Sequence, residues 1–173
     1  MNETSKKNEK HNLKNSNKHF EILLKISLII GIIVISGFII YYLLTPEPGF
    51  VTFGILNENQ EAENYQKNAA VNETIFFYIT VENYLNRDFT FKVEILKGNN
   101  NTLLSSRGSE NATSYYNTSQ YTLSHNDYWF SERLNISFSE AGANQIIIAE
   151  LWQIKNEIEE FYNILWLRLN ITN

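Results

Sequence analysis

The chain contains no cysteine, which excludes disulfide scaffolds, thiolate nucleophiles and zinc–thiolate or iron–sulfur sites. It has only two prolines and seven glycines in 173 residues, and it contains neither a collagen-like repeat nor a glycine-rich phosphate loop. Hydrophobic residues make up 43% of the chain, which is too many for a disordered tail. Packing alone must therefore hold any folded domain together.

Charged residues are missing from one stretch, residues 26–44, in which only Ser27 and Ser36 are polar. As a helix this stretch rises about 28 Å, which matches the hydrocarbon thickness of a bilayer. A buried helix that is apolar on all sides needs a large protein around it, and the remaining residues form only one small domain. The stretch also lacks the small-residue cleavage site of a signal peptide. It therefore predicts a membrane anchor whose partner is the lipid bilayer.

Charge is distributed unequally around this stretch. Residues 1–25 carry six lysines and three glutamates, a net charge of +3, whereas residues 45–173 carry 8 basic and 16 acidic groups, a net charge of −8. Basic residues favour the cytoplasmic side of a membrane, so we expect a cytoplasmic N-terminus and an extracytoplasmic C-terminal domain in the cell membrane. An acidic outer domain also argues against a nucleic-acid partner.

Both prolines lie between Thr45 and Gly49, directly after the apolar stretch. Because proline fixes its own backbone and disfavours helix in the preceding residue, this segment predicts a short, extended stalk. The predicted division is a polar, solvated and mobile cytoplasmic tail at 1–25, a transmembrane helix at 26–44, a stalk at 45–49 and an extracytoplasmic domain at 50–173.

Hydrophobic and polar residues alternate in three segments of the outer portion, 74–82, 89–97 and 128–138. A period of two is typical of strands with one buried face. The predicted inward residues are Ile75, Phe77, Ile79, Val81, Phe89, Phe91, Val93, Ile95, Phe130, Leu134, Ile136 and Phe138. Weaker strand signals occur at 50–56, 102–106, 120–124, 145–154 and 162–171.

Turn residues separate these strands. Gly98–Asn101 predicts a hairpin and Ala141–Asn144 predicts a corner, whereas 155–160 is compatible with a loop or one helical turn. Seven or eight short strands without a convincing amphipathic helix predict an all-β domain, an antiparallel β-sandwich preceded by one transmembrane α-helix.

Several short motifs resemble a known family. They are TPEPGFVTFGILN at 45–57, EAENY at 61–65, VEN at 81–83, LSHNDYW at 123–129 and ILWLRLNI at 164–171. Together they resemble the largely archaeal membrane family called domain of unknown function sixteen-sixteen, over most of residues 46–173. The resemblance implies an immunoglobulin-like sandwich that faces the cell surface on a single membrane anchor, and it implies no activity.

Six asparagines of the outer portion begin N-x-S/T triplets, the acceptor pattern for N-glycosylation. They are Asn72, Asn100, Asn111, Asn117, Asn135 and Asn170. Each falls on a polar face, in a hairpin or in the polar stretch 107–119, so none would require a buried glycan. The alternative is an asparagine-rich chain whose triplets are accidental, as the triplet at Asn2 in the inner tail illustrates.

No residue set of a catalytic or metal site stands out. His125 is the only histidine of the outer portion, and we expect it to form local hydrogen bonds in a turn. His125 with Asp127 gives two metal ligands at most. The acidic groups at 58–63 and 157–160 lack the spacing of a calcium loop. We therefore expect neither an enzyme nor a cofactor or metal site.

Several aromatic residues occupy the strand faces opposite the predicted core. They are Phe76, Tyr78, Trp129 and Trp166, and Tyr115 and Tyr116 lie in a probable loop. Exposed rings would form a surface that binds sugar or protein, whereas a local bulge would reverse the pattern and bury them.

These features favour a surface module that contacts an envelope or membrane protein. The first alternative is a pilin-like or archaellum-associated filament or stator subunit, for which Phe20 and Glu21 give only a faint signal. The second alternative is a protein that binds or hydrolyses envelope glycan.

Overall fold

The computed structural model describes the backbone of residues 3–45 and 48–173, and the side chains of residues 20–45 and 48–173. It divides into two compact units, residues 1–47 and 48–173. The first unit is one helix, α1 (Glu3–Leu44). Its segment Phe20–Leu44 is apolar, long enough to cross a membrane and not buried by any other part of the described chain. The predicted apolar helix is thus present.

The backbone of the polar tail is helical from Glu3 onward, and the solvated, mobile character of the tail stays a prediction. The tail contains no proline or glycine and many lysines and glutamates, which are good helix formers. The apolar part of the helix supplies a formed nucleus, from which helix extends at little cost. Of the predicted stalk, Pro46 and Glu47 lie outside the described residues.

The second unit consists of twelve strands. They are β1 (Val51–Leu56), β2 (Asn68–Ala70), β3 (Ile75–Asn83), β4 (Phe89–Gly98), β5 (Leu103–Ser105), β6 (Gly108–Glu110), β7 (Thr113–Asn117), β8 (Tyr121–Leu123), β9 (Tyr128–Phe130), β10 (Leu134–Ile136), β11 (Gly142–Lys155) and β12 (Ile158–Thr172). Every strand pair is antiparallel except β2 with β12. The all-β sandwich predicted from the sequence is confirmed.

Two sheets face each other across the core. The four-stranded sheet has the order β1-β3-β10, with β9 also paired to β3. The six-stranded sheet has the order β2-β12-β11-β4-β7, with β8 also paired to β4. The alternation predicted for β3 and β4 is confirmed, because Ile79, Val81, Phe89 and Phe91 are fully buried between the sheets.

The inward pattern predicted for 128–138 is wrong in its first half. Phe130 pairs with Thr80 and Leu134 pairs with Phe77, so β9–β10 advances four residues while β3 advances three. One extra residue between the two pairs is a β-bulge, and a bulge moves the following side chains to the other face. Trp129 therefore packs against the core, whereas Phe130 is exposed.

A second, smaller core covers the outer face of the six-stranded sheet. Leu96, Ile146 and Ile148 are buried there against Leu104 and Ala112, on and beside the hairpin of β5 and β6. Glu150 is 3% exposed on the same face. Its Oε1 accepts hydrogen bonds from the N–H and hydroxyl of Ser109 at 2.6 and 2.7 Å, and its Oε2 accepts one from Trp152 Nε1 at 3.2 Å.

Gly108 makes this close approach of the hairpin possible. Its φ of 112° suits glycine, and a Cβ there would lie 3.2 Å from Glu150 Oε1. The sequence predicted only strand 102–106 in this region. The prediction missed β6 because a three-residue strand shows no readable alternation.

Two predicted connections are also corrected. A turn follows Gly98, where the Thr102 N–H donates to the Asn99 carbonyl at 3.0 Å, but β4 and β5 do not pair, so it is not a hairpin. Residues 155–160 form neither a loop nor a helical turn. Lys155 pairs with Ile158, and Asn156 and Glu157 between them have φ values of 50° and 67°, the signature of a two-residue type I′ hairpin.

Candidate binding cleft between the open sheet edges

A cleft in the described part of the chain lies where one edge of each sheet is open. Strands β7 and β8 end the six-stranded sheet beside β4, and β9 and β10 end the four-stranded sheet beside β3. Both edges contribute to a cleft of ≈ 760 Å³. Its lining residues are Phe77, Ile95, Tyr115, Tyr116, Thr118, Tyr121, Trp129, Phe130, Ser131, Glu132, Arg133, Leu134 and Asn135.

Exposed aromatic rings dominate the wall formed by β7 and β8. Tyr115 and Tyr116 are 44% and 46% exposed, and Tyr121 is 38% exposed. Tyr121 lies against Trp129 with ring centroids 5.0 Å apart, and Trp129 contacts the buried Phe91 edge-on at 5.7 Å. Packing against the core fixes the rings of Tyr121 and Trp129 before any ligand arrives, so these two rings offer rigid apolar contact area.

The opposite wall is the bulged segment between β9 and β10. Phe130 stacks on Tyr78 with ring centroids 5.2 Å apart, and the Arg133 guanidinium lies 3.7 Å from the centroid of Phe76. Ser131 is buried, and its hydroxyl accepts a hydrogen bond from the Ile79 N–H at 2.9 Å. Ser131 thus holds the backbone of the bulge in place, which leaves its neighbours Glu132 and Arg133 exposed.

The β7 edge has features of an accessible strand. Within the described residues β7 pairs only with β4, and all five of its side chains are exposed. Ile95 pairs with Tyr116 and Leu96 with Ser114, so Tyr115 is an extra residue and forms a bulge. A bulge discourages strand pairing along an open edge. Ligand contacts are therefore more readily made by the rings of β7 than by its backbone.

Lys97 joins the two sheets next to the cleft. Its ammonium group donates to the Ser137 carbonyl and lies 4.3 Å from the centroid of Tyr115 and 5.6 Å from that of Phe138. Burial lowers the pKa of Lys97 from its usual value. The cation–π contact with Lys97 restricts the movement of the Tyr115 ring at the rim of the cleft.

The predicted aromatic surface is correct in part. Phe76, Tyr78 and Trp166 lie opposite the core, with Trp166 46% exposed. Trp129 was assigned to the wrong face, and Tyr115 and Tyr116 belong to a strand rather than a loop. The sequence analysis missed Tyr121, Phe130 and Arg133 as members of one site. These residues come together through the bulge between β9 and β10, which the alternation of the local sequence does not predict.

The other predicted residues lie away from this cleft, except Asn135. All six triplet asparagines are exposed. His125 is exposed in the turn before β9, and Asp127 there accepts a hydrogen bond from the Ser124 N–H at 3.2 Å. Among the predicted acidic groups, Glu58, Glu159 and Glu160 pair with Arg133, Lys92 and Lys155. In the described part of the chain, no three histidine or acidic side chains are grouped to hold a metal ion.

Two tyrosines of the domain, Tyr65 and Tyr84, have a raised pKa. Burial raises the pKa of Tyr65, whose hydroxyl donates to the Ile55 carbonyl at 2.7 Å. The hydrogen bond from Tyr84 to the Glu82 carboxylate, together with the charge of that carboxylate, raises the pKa of Tyr84. Both hydroxyls are hydrogen-bond donors, and neither residue lines the cleft.

Comparisons with known proteins reveal similarity of fold and nothing closer. No protein-family model matches the chain, so the resemblance to domain of unknown function sixteen-sixteen is not confirmed, and no curated protein matches either. Among solved structures, the CARDB domain of a Pyrococcus furiosus protein is 14% identical with a TM-score of 0.45, over 75% of this chain and 93% of that one.

Two further structures have the same level of similarity. Spo0M, a sporulation control protein from Bacillus subtilis, is 5% identical with a TM-score of 0.45, over 71% of this chain and 49% of that one. A β-glucosidase from Erythrobacter marinus is 9% identical with a TM-score of 0.44, over 72% of this chain and 16% of that one. At these identities and scores, the sandwich assignment rests on the strands of the chain itself.

Proposed function

We propose that the chain is a single-pass membrane protein whose β-sandwich lies outside the cytoplasm and contacts another envelope component, without catalysing a reaction. The observation that carries this proposal is the segment Phe20–Leu44, an apolar helix exposed on all sides. A helix that exposes so much apolar surface is unstable in water and stable in a bilayer.

The helix has the dimensions of a membrane anchor. At about 1.5 Å per residue its 25 residues extend about 38 Å, which is enough to cross the hydrocarbon layer with some tilt. Lys25 forms an ion pair with Glu21 at 2.7 Å near the start of this segment. The part without charged residues begins directly after Lys25, at Ile26. The lysine-rich tail precedes this point, and basic tails stay on the cytoplasmic side.

The absence of cysteine gives a sharp test of topology. Two single-cysteine variants of the full chain, Ser5→Cys in the tail and Ser124→Cys in an exposed turn of the outer domain, are treated in intact cells with a membrane-impermeant maleimide. We expect labelling of S124C only, with S5C labelled after the membrane is permeabilised. Labelling of S5C alone in intact cells would show the opposite orientation and would refute the proposal.

The cleft supports a binding role for the domain. Tyr121 and Trp129 are held in place by packing against the core. Tyr115 and Tyr116 expose their rings on the β7 wall, and Glu132 and Arg133 add polar groups on the opposite wall. Binding sites typically combine apolar contact area with a few placed polar groups. The envelope component of this proposal is therefore an amphipathic partner that contacts Tyr115 and Tyr116.

A photo-reactive phenylalanine analogue placed at position 116 tests this role in native membranes. The matched control places the same analogue at Tyr128, which is 74% exposed and does not line the cleft. We expect a discrete crosslinked species from position 116 that is absent from position 128. Identical crosslinking patterns at the two positions would contradict binding through the cleft.

A further inference from the structure

The sandwich has two ends that differ in their asparagines. The proximal end is where Pro48–Val51 joins the domain, since Val51 pairs with Asn83 at the end of β3, and it includes the start of β4 and the turn of β11 and β12. The distal end comprises the start of β3, the end of β4, the end of β10 and the start of β11. Lys97 links the two sheets there through the Ser137 carbonyl.

Three triplet asparagines lie in the distal connections of the six-stranded sheet. Asn100 follows the end of β4, and its Nδ2 donates to the Ala143 carbonyl at 3.4 Å. Asn111 precedes β7, and its carbonyl accepts from the Thr102 hydroxyl at 3.1 Å. Asn170 lies on β12 beside the start of β11. These three side chains are therefore close to one another in the fold, although up to 70 residues separate them in sequence.

Two more triplet asparagines lie at the distal end of the four-stranded sheet. The N–H of Asn72 donates to the Phe138 carbonyl at 2.8 Å, just before β3 begins. Asn135 on β10 pairs with Phe76 near the start of β3. The sixth, Asn117, pairs with Glu94 in the middle of β4. Five of the six triplets thus meet at one end of the domain.

The proximal end carries no acceptor triplet. Its three turns contain exposed asparagines, namely Asn86, Asn126 and Asn156, and none of them begins an N-x-S/T triplet. The acceptor pattern is thus confined to the distal end and the middle of one edge, so any attached saccharide would be concentrated at the distal end.

We propose that the distal end is an N-glycosylated cap, with saccharide attached to Asn72, Asn100, Asn111, Asn135 and Asn170. This inference rests on the proposed extracytoplasmic location of the domain, because the glycan donor is a lipid-phosphate-linked oligosaccharide used outside the cytoplasm by a membrane transferase. The asparagine Nδ2 forms a bond to C1 of the saccharide, Nδ2 loses one proton, and the C1–oxygen bond to the lipid phosphate breaks with release of that phosphate. Each acceptor side chain is exposed and reachable in the folded domain.

The cap would divide the surface by function. Bulky hydrated saccharides at the distal end would cover the connections 99–102 and 139–141 and exclude proteins from them. Asn135 also lines the cleft, so its saccharide would border the cleft on the distal side. The rings of Tyr116 and Tyr121 and the proximal end would stay accessible to a partner.

Mass spectrometry of the full chain, purified from the membranes of its native cells, tests the cap directly. Peptides that contain the five distal asparagines are compared before and after chemical deglycosylation. Saccharide on most of the five is the expected result, with or without saccharide on Asn117. Unmodified asparagine at most of the five would overturn the inference.

Limited proteolysis of the same protein tests the shielding. We expect deglycosylation to increase cleavage several-fold within the connections 99–102 and 139–141, with no change at the proximal turn 155–158 as the matched control. Equal changes at both ends, or none, would refute a protective cap. The S124C labelling separates the two proposals, because Ser124 lies at the proximal end and outside the cap: a labelled but unmodified domain refutes only the cap, whereas a domain inaccessible from outside refutes the proposed topology.

Discussion

The outer faces of the two sheets are covered in different ways. The six-stranded sheet carries a hairpin on its outer face, which buries Ile146 and Ile148 and supplies two of the three hydrogen-bond donors to Glu150. The four-stranded sheet carries nothing on its outer face in the described residues, and half-buried Phe76 and Tyr78 cover it instead. The comparison shows that one sheet is stabilised on both sides, whereas the other offers its outer face and edge to solvent or ligand.

Truncation of one side chain on each face is expected to have the largest effect. Ile148→Ala should lower the free energy of unfolding by about 2–5 kcal/mol, because it leaves a cavity under the hairpin. Tyr78→Ala should cost about 1 kcal/mol, mainly from its contact with Phe130. Thermal or urea unfolding of the full chain in detergent measures both. Equal losses would show that the two faces are stabilised alike.

Removal of the buried carboxylate should have the next largest effect. Glu150→Ala deprives the Ser109 N–H and the Trp152 Nε1–H of their acceptor, so we expect a loss of about 1–3 kcal/mol. Hydrogen exchange at the Ser109 amide should accelerate as the hairpin loosens. Glu110→Ala, on the same hairpin but exposed, is the control. An unchanged exchange rate in E150A would contradict the role of Glu150 in holding the hairpin.

A pH-dependent effect is expected at the edge of the four-stranded sheet. Tyr65→Phe should cost about 1 kcal/mol near pH 8, because it removes the hydrogen bond to the Ile55 carbonyl. The folded-state pKa of Tyr65 is raised by burial above the unfolded value of 10.0, so the hydroxyl favours the folded state fully below pH 10 and loses this effect as pH rises through the folded pKa.

Urea unfolding at several alkaline pH values measures this difference. The gap in stability between the unmodified chain and Y65F should narrow above pH 10. Tyr128→Phe, at an exposed ring, controls for the loss of a surface hydroxyl. A constant gap at every pH would argue against a buried, hydrogen-bonded hydroxyl at position 65.

The smallest effect is expected in the hairpin between the two longest strands. Glu157 has a left-handed backbone, which costs a non-glycine residue about 1–2 kcal/mol, and Glu157→Gly removes this cost. Glycine also raises the conformational entropy of the unfolded chain, which lowers the stability of the fold by about 0.5–1 kcal/mol. The net gain should be about 0.5 kcal/mol, visible as a small rise in Tm. A lower Tm would show that the Glu157 side chain contributes interactions beyond the turn.

The sequence predicted the fold where one face of a strand is buried and the other is not. In β3 and β4 the alternation of Ile79 with Tyr78 and of Val93 with Lys92 directly encodes which side faces the core. The sequence also predicted the apolar helix, because a run of nineteen uncharged, mostly apolar residues is typical of a membrane-spanning helix.

Features that depend on distant residues were not predictable in this way. The bulge that turns Trp129 inward is set by the pairing of β9 and β10 with β3, which local sequence does not display. The burial of Leu96 on the outer face depends on a hairpin formed later in the chain. The cleft depends on the first of these effects, so its residues were recognised only singly and Trp129 was assigned to the wrong face.

Strand β12 is the last strand of the domain in sequence, yet it lies inside the six-stranded sheet, between β2 and β11. Asn68 near the beginning of the domain pairs with Asn170 near its end. The sheet therefore cannot close during synthesis until the ribosome has released nearly the whole domain, and long-range pairing of this kind is slow. Strands β2 and β11 consequently lack the neighbour that they share until the end of the domain has been made.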